Sequence, residues 1–422
     1  MRQLKSFLIA LAVFGLASAV PLPVLCQVKG APAAQPPAVS ASTAVLMDAA
    51  TGTVLYDKAM HQRRAMASTT KIMTALVTLE SADLKDLVPV GEDAMKVESP
   101  GLDFKPGERL ALDDLLTALM LKSSNAAAIA IADYLAGGVP AFAQKMNERA
   151  RALDLKDTHF ANPHGLSAPE HYSSAYDLAV ITRVAMDFGR FRALVAEKMA
   201  EISRPDVNTK ETVTNHNKLL WRADYVDGVK TGWVRESGHC LVASATRNGW
   251  QLIAVVLDSG DTYSDALALL DYGFATYRQH VFAQRGDAVG RVRVRFGSPG
   301  SVSAIAQQSL AQMTGPGLPP AGKLEVTTKR LTAPIVQGST VGEARVLVNG
   351  KPTATSRLVA GEPVKRSPLV VAGEWAARMA GLLAVAVVGI RTGAKLVKVR
   401  RRRRRGVAPQ SGRADPSGPS PG

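Results

Sequence analysis

Apolar strand-like runs stand at both ends of a long helical stretch, and that order limits the possible fold more than any other feature. Residues 44–56 carry two such runs, AVLM and TVLY, around Asp48-Ala49-Ala50-Thr51-Gly52, a hairpin pattern. Helical spacing follows at 65–79, 112–121, 126–135, 140–153 and 174–188. From Gly228 the pattern returns to strands at 229–234, 240–246 and 252–257, the last two joined through Asn248-Gly249. Residues 261–277 are helical again. Strands at both ends of a helical block predict one antiparallel sheet with helices around it, an α/β (α+β) class.

After residue 279 the texture changes. Arg291-Val292-Arg293-Val294-Arg295-Phe296 alternates strictly, 323–327 and 344–348 read as short strands, and Asn349-Gly350 marks a second tight turn. No long helical pattern occurs between 289 and 368. The reading is a first domain over 43–278 and a small all-β domain over 285–368.

Both ends carry targeting patterns. Arg2 and Lys5 precede the uncharged stretch 7–20, Ala17-Ser18-Ala19 offers a cleavage site, and Pro21-Leu22-Pro23 would break a helix. Residues 1–26 read as an export signal and 27–42 as a Pro/Ala-rich linker. Near the other end, 379–390 is a twelve-residue uncharged run between Arg378 and Arg391. Spanning a bilayer takes about 20 residues, which 374–399 reaches if the flanking charges snorkel. The segment either crosses the membrane or lies in its interface, and its all-round apolarity favours crossing. The tail, 400–422, is basic and then Pro/Gly/Ser-rich, a composition that predicts disorder.

The formal charge is +15, but 391–422 holds ten Lys/Arg against one Asp, which leaves +6 for everything before it. The basicity is a property of the tail. The positive-inside rule would put that tail in the cytoplasm and the bulk of the chain outside, where a nucleic-acid partner is not expected. Two cysteines exclude a disulfide framework and a Cys-rich zinc module. If Cys26 leaves with the signal, Cys240 stands alone.

Three short patterns could carry chemistry. Ser68-Thr69-Thr70-Lys71 opens a helix, and residues at i and i+3 share a face. Lys71 is the only charged residue between Arg64 and Glu80, among Ile72, Met73, Ala75, Leu76 and Val77. Desolvation lowers a lysine pKa, and a neutral amine beside a hydroxyl can make it a nucleophile. The unpaired N–H groups of the helix start suit an oxyanion. Next comes Ser123-Ser124-Asn125 between two helices, a hydroxyl and an amide able to relay a proton and hold a substrate amide. Last is Lys230-Thr231-Gly232 on the first strand of the meander. The lysine and threonine could bind an anionic end, and the glycine could leave room for a substrate to lie along the strand. Taken singly, each pattern also fits a plain structural role: a helix cap, a loop cap and an exposed edge strand.

Taken together and in order, they resemble the motif set of penicillin-binding proteins and serine β-lactamases. The likeness continues in Phe160-Ala161-Asn162-Pro163-His164-Gly165-Leu166, in His171-Tyr172-Ser173-Ser174-Ala175-Tyr176-Asp177-Leu178, and in Asn215-His216-Asn217-Lys218-Leu219-Leu220 leading into Asp227-Gly228-Val229-Lys230-Thr231-Gly232. These segments resemble the D-alanyl-D-alanine carboxypeptidases of peptidase family S11, over about residues 42–370. The resemblance implies a transpeptidase-like fold followed by a small β domain and a membrane helix. It implies an exported enzyme on the outer face of the bacterial cytoplasmic membrane. That enzyme would remove the terminal D-alanine from peptidoglycan stem pentapeptides through an acyl-enzyme and would react with β-lactams. It implies Ser68 as nucleophile, Lys71 as general base and Ser123 as proton shuttle. It further implies Asn125, Lys230, Thr231 and Gly232 as substrate contacts, with the backbone N–H groups of Ser68 and Trp233 as the oxyanion hole. Two positions depart from the family's common form. Ala126 stands where an Asp often follows Ser-x-Asn, a change expected to affect supporting contacts. Val234 stands where a hydroxyl residue often follows Lys-Thr-Gly-x, a change expected to weaken carboxylate recognition.

No cofactor and no metal are expected. The seven histidines form no His-Glu-x-x-His pattern, and His159, His164 and His171 lie in a loop region without a carboxylate ligand pattern. An endopeptidase cutting cross-links with the same machinery is the second reading. A β-lactamase-like hydrolase would need a deacylating arrangement such as Glu-x-x-Leu-Asn, which does not follow Ser123-Ser124-Asn125. A catalytically silent wall-binding module is disfavoured by the intact Ser68 and Lys71.

Overall fold

The computed structural model describes residues 35–99 and 102–405. The predicted export signal with Cys26, most of the predicted linker and the tail beyond 405 lie outside the described residues.

The predicted hairpin is β1 (Thr43–Asp48) and β2 (Val54–Lys58). A 3-10 turn, Ala67–Thr70, leads into α1 (Lys71–Ser81). The short strands β3 (Leu87–Pro89) and β4 (Arg109–Ala111) flank α2 (Glu92–Met95). The helical block continues with α3 (Leu112–Leu121), α4 (Asn125–Ala136), α5 (Val139–Ala152), α6 (Ala175–Ala185) and α7 (Gly189–Ala196). A small hairpin, β5 (Met199–Arg204) and β6 (Thr209–Thr214), and the turn α8 (Leu219–Arg222) precede the meander. The meander is β7 (Val226–Val234), β8 (Gly238–Arg247) and β9 (Trp250–Ser259), and α9 (Thr262–Thr276) closes the domain. The meander pairs with the first hairpin in one antiparallel sheet, ordered β2-β1-β9-β8-β7.

The central strands read as unbroken apolar runs because both faces of the sheet are covered. In β1, Val45 and Met47 point to the helical block while Ala44 and Leu46 point to α9. In β9, Ile253, Val255 and Leu257 join the first layer and Leu252, Ala254 and Val256 the second. Gly273 sets the depth of the second layer. A Cβ there would lie 2.6 Å from Leu252 and 2.7 Å from Leu46, so α9 lies close on the sheet.

Three local features differ from the sequence expectation. The helix predicted from residue 65 begins at Lys71, because Ala67 is left-handed (φ +47°) and a 3-10 turn intervenes. The β5–β6 hairpin and α7 have no counterpart in the pattern read from the sequence. Of β5 only Ile202 is buried, and of β6 only Val213, too little alternation to announce a strand. The last residues of the predicted linker are not a free spacer. Ser40 and Ala41 donate their backbone N–H groups to Asp265 on α9 at 3.0 and 2.9 Å, and Val39 and Ala41 are buried.

The β-rich region begins with Arg278–Ala283, which pairs with Leu310–Thr314. Its first strand thus starts at the final residue of the predicted first domain. Tyr277 Oη donates to the Leu55 carbonyl at 2.8 Å, Gln279 Nε2 donates to Asp48 at 3.0 Å, and Met313 packs under the sheet. The alternating strand Ala288–Arg295 buries Val292 and Val294 and exposes its arginines. Asn349 (φ +50°) and Gly350 (φ +75°) form the tight turn between Thr340–Val348 and Lys351–Ala360.

The chain continues as a single helix, α10 (Pro368–Arg405), of 38 residues. Its Pro368–Arg401 segment, with a window of mean hydropathy 1.6, is long and apolar enough to cross a membrane by length and composition.

Leu46 is fully buried between the sheet and α9. Leu46→Ala is expected to destabilise the domain by about 2–5 kcal/mol, read from the midpoint of urea unfolding.

Candidate active site

The site is built where the buried end of α1 meets the turn between α3 and α4 and the edge strand β7. Ser68 sits in the 3-10 turn before α1. Ala67, just before it, holds a left-handed conformation that costs a non-glycine residue about 1 kcal/mol or more. The turn is braced from within: Thr69 Oγ1 donates to the Met66 carbonyl at 2.6 Å and Thr70 Oγ1 to the Ala67 carbonyl at 2.8 Å. His171 braces it from outside. Its Nδ1 accepts the Ala161 N–H at 3.0 Å, so the proton sits on Nε2, which donates to Thr70 Oγ1 at 2.9 Å. Burial, with the charges of His159 and Lys71, pushes its pKa down to about 4 and keeps the ring neutral. Both ring nitrogens are therefore committed to protein partners.

Lys71 is fully buried. Its Nζ lies 2.9 Å from Ser68 Oγ, 2.7 Å from Asn125 Oδ1 and 2.5 Å from the His164 carbonyl oxygen. Among the described residues no carboxylate lies within ion-pair distance of it. Burial first, and the charge of Lys230 second, lower its pKa well below that of a free lysine. As an ammonium, Lys71 donates to all three oxygens. The Asn125 and His164 oxygens can only accept, so in the neutral amine they would take its two N–H bonds. The lone pair would then face the Ser68 hydroxyl, which could donate to it.

Asn125 is held as tightly as the lysine it touches. Its Nδ2 donates to the Glu98 carbonyl at 2.6 Å, and its own N–H donates to Ser99 Oγ at 2.9 Å. Ser99 also accepts the Ala126 N–H at 3.1 Å, so a serine hydroxyl supports the backbone beside the alanine that departs from the family form. Asn125 is the first residue of α4, not a loop residue, and Ser124 caps that helix by accepting the Ala127 N–H at 3.1 Å. The structural and chemical readings of Ser123-Ser124-Asn125 thus fall on different residues. Ser123 is left-handed (φ +60°) and buried, which turns the chain sharply between α3 and α4.

Lys230, Thr231, Gly232 and Trp233 lie on β7, at the edge of the five-stranded sheet. Lys230 is buried, and burial lowers its pKa to about 7. Its Nζ donates to the Thr231 carbonyl at 3.1 Å. Gly232 does more than leave room for a substrate. A Cβ there would stand 3.0 Å from the Ser68 nitrogen and 3.0 Å from the Ala67 Cβ, so the missing side chain lets β7 lie against the protein's own turn. Trp233 is 61% exposed beside it.

Several contributors had no role in the sequence reading. The His164 carbonyl and the Glu98–Ser99 segment reach Lys71 and Asn125 across long stretches of chain. Gly165 (φ +93°) is the tightest contact: a Cβ there would fall 2.0 Å from the Ala67 carbonyl oxygen. His216 has its pKa lowered to about 4 by burial and by Lys230 and Lys122, and its backbone N–H donates to the Leu121 carbonyl at 3.0 Å. The segments around His164 and His216 were the available signal, because they share the family pattern outside the three short motifs.

A serine beside a buried lysine, an asparagine from a second segment and an edge strand bearing Lys-Thr-Gly define a serine acyl-transferring hydrolase of the penicillin-binding class. Residues 30–261 match the D-alanyl-D-alanine carboxypeptidase family (peptidase S11), and 277–366 match the C-terminal domain of penicillin-binding protein 5. The chain is 37% identical over 349 residues to the D-alanyl-D-alanine carboxypeptidase DacD of Escherichia coli, covering 78% of this chain and 88% of that protein. It is 31% identical over 350 residues to DacF of Bacillus subtilis, covering 79% and 90%. The crystal structure of penicillin binding protein 5 from Haemophilus influenzae superposes with a TM-score of 0.60 at 30% identity, covering 79% of this chain and all of that one. The chain belongs to the D-alanyl-D-alanine carboxypeptidase family S11.

Gly165→Ala is expected to displace the Ser68 turn and to slow labelling by a fluorescent penicillin about 100-fold or more, since misplacement of a reacting group by 1 Å costs about that much. A gel-based labelling time course on the folded variant measures it.

Proposed function

We propose that this chain removes the terminal D-alanine of peptidoglycan stem pentapeptides, working as an exported carboxypeptidase held at the outer face of the cytoplasmic membrane by α10. Membership of family S11 supports the reaction. One observation carries the assignment of roles: the 2.9 Å contact between Ser68 Oγ and a fully buried Lys71 whose other two partners are carbonyl oxygens.

In this reading Lys71 takes the Ser68 proton as Oγ attacks the carbonyl of the penultimate D-alanine. The N–H groups of Ser68 and Trp233 receive the negative oxygen. The C–N bond breaks, and the departing D-alanine takes a proton through Ser123. Asn125 has two tasks, contacting the substrate amide and fixing the lysine's orientation through Oδ1. The ammonium of Lys230 and the Thr231 hydroxyl grip the terminal carboxylate. Water then attacks the ester, with Lys71 again accepting a proton, and Ser68 is restored. A β-lactam enters the same first step and remains as an acyl adduct.

The predicted segments 1–26 as export signal, 27–42 as linker and 374–399 as anchor complete the picture. The catalytic domain, 43–278, would face the wall, with 285–368 between it and the membrane. Arginines 400–405 would stay on the cytoplasmic side.

Ser68→Ala is expected to abolish both D-alanine release and the mass increment left by benzylpenicillin, read by intact-protein mass spectrometry and peptide mapping. Lys71→Arg is expected to be nearly inactive, because a guanidinium stays protonated. Retained D-alanine release in Ser68→Ala would contradict the reading.

The two lysines also set a pH profile. Lys71 must be neutral, so kcat/KM should rise with pH through a value well below that of a free lysine. Lys230 must be charged, and its pKa is lowered to about 7, so kcat/KM should fall as pH passes above that value. Lys230→Arg should move only the falling limb, to higher pH.

A further inference from the structure

The charge that precedes the tail is divided unevenly between the two domains. Residues 43–278 hold 25 Lys/Arg against 30 Asp/Glu, whereas 285–368 hold 12 against four. The first domain is thus at −5 and the small β domain at +8. Net charge of this size bears on partners rather than on the fold.

Part of the excess is gathered at one end of the β domain. The alternating strand Ala288–Arg295 exposes Arg291, Arg293 and Arg295 on one face. Its parallel pairing with Leu331–Thr332 brings Arg330, also exposed, beside Arg293. Beyond Arg295 the chain turns at Phe296, which is 49% exposed and has the Arg295 guanidinium 5.2 Å from its ring centre. Gly297 and Ser298 then pair with Arg366 and Lys365. Counter-charges at this end are few. Glu362 lies 3.7 Å from Arg291 and Glu374 3.2 Å from Arg366, and among the described residues Arg293, Arg295, Arg330 and Lys365 have no ion-pair partner.

The same end is where α10 leaves. Ser367 donates its N–H to the Phe296 carbonyl at 2.8 Å, and its own carbonyl accepts the N–H groups of Val370 and Val371 at 3.1 Å. The helix therefore starts on the domain with no intervening linker. Here the inference rests on the anchored reading above. From Ser367 to the start of the 374–399 anchor is about 10 Å of helix. The headgroup layer is itself about 5–8 Å thick. Phe296, Lys365 and Arg366 are thus held at the level of the headgroups.

We propose that this end of the β domain is a second membrane contact, which binds anionic phospholipid headgroups through Arg295, Lys365 and Arg366 with the Phe296 ring among them. Basic side chains are attracted to an anionic surface, and an aromatic ring is favoured at headgroup depth. The acidic first domain is repelled by the same surface whenever it comes within about 10 Å, the reach of an unscreened charge. The asymmetry therefore holds the catalytic domain off the lipid, an orientation that a single helical tether does not impose.

The test places an environment-sensitive fluorophore on the full chain, carrying Cys26→Ser, in nanodiscs that contain a headgroup spin label. Cys240 is buried and does not compete for the fluorophore. The probe goes on Ser298→Cys, beside Phe296. The reference position is Lys351→Cys, at the far end of the strand Lys351–Ala360, about 30 Å away. In discs of phosphatidylcholine with one quarter phosphatidylglycerol, the probe at 298 should be quenched and the probe at 351 should not. Changing Arg295, Lys365 and Arg366 together to Gln should lower the ratio of docked to undocked protein about 100-fold, at about five-fold per charge, and bring the quenching at 298 to the level at 351. Discs of phosphatidylcholine alone should do the same to the unchanged chain. Labelling by fluorescent penicillin checks that each variant is folded. Quenching at 298 no greater than at 351, or quenching that persists unchanged in phosphatidylcholine alone and in the triple variant, would overturn the proposal. A probe on Leu383→Cys, inside the anchor, is read against an acyl-chain spin label in the same discs. If that probe is not quenched, the anchored reading fails instead.

Discussion

The structure depends on a lysine placed where an ammonium is costly. Removing a charged group from water without a counter-ion costs several kcal/mol, and a pKa lowered by one reflects a loss of about 1.4 kcal/mol by the charged form. Burial lowers the pKa of Lys71 well below that of a free lysine, and its surroundings also suit the neutral form. Two carbonyl oxygens hold its hydrogens and a hydroxyl faces its lone pair. A carboxylate at either of the two carbonyl positions would favour the ammonium. The apolar packing of α1 between the sheet and the helical block is therefore what lowers the lysine's pKa.

The other parts of the site serve the same constraint at longer range. Asn125 orients the lysine because Glu98 and Ser99 hold the asparagine. The Ser68 turn keeps its left-handed residue because Thr69, Thr70 and His171 satisfy the polar groups around it. Lys230 lies close enough on β7 for its charge to oppose protonation of Lys71. The two lysines are held on separate elements, and burial lowers the pKa of both.

Much of this was legible in the sequence where the signal is local. The hairpins, the helical block and the meander could be read because their apolar periods are strong, and the proximity of Ser68 and Lys71 followed from a spacing of one helical turn. Contacts between distant segments were not readable from the residues alone. Nothing about His164 announces that its carbonyl, rather than its ring, would meet Lys71. The close approach of Gly165 to Ala67 depends on how a loop returns, and Gly232 was assigned room for a substrate when it also makes room for the protein's own backbone. The hairpin of Met199–Arg204 with Thr209–Thr214 left no pattern because a strand with a single buried side chain has almost no period to detect.

The Ser68 turn is wedged between two residues that have no side chains, Gly165 on one flank and Gly232 on the other. Such a seat derives its firmness from empty positions, and an empty position can only be altered by adding atoms. Evolution thus has little freedom to retune this protein at its centre. Divergence among its descendants is left to positions farther out, where a change of side chain leaves the seat untouched.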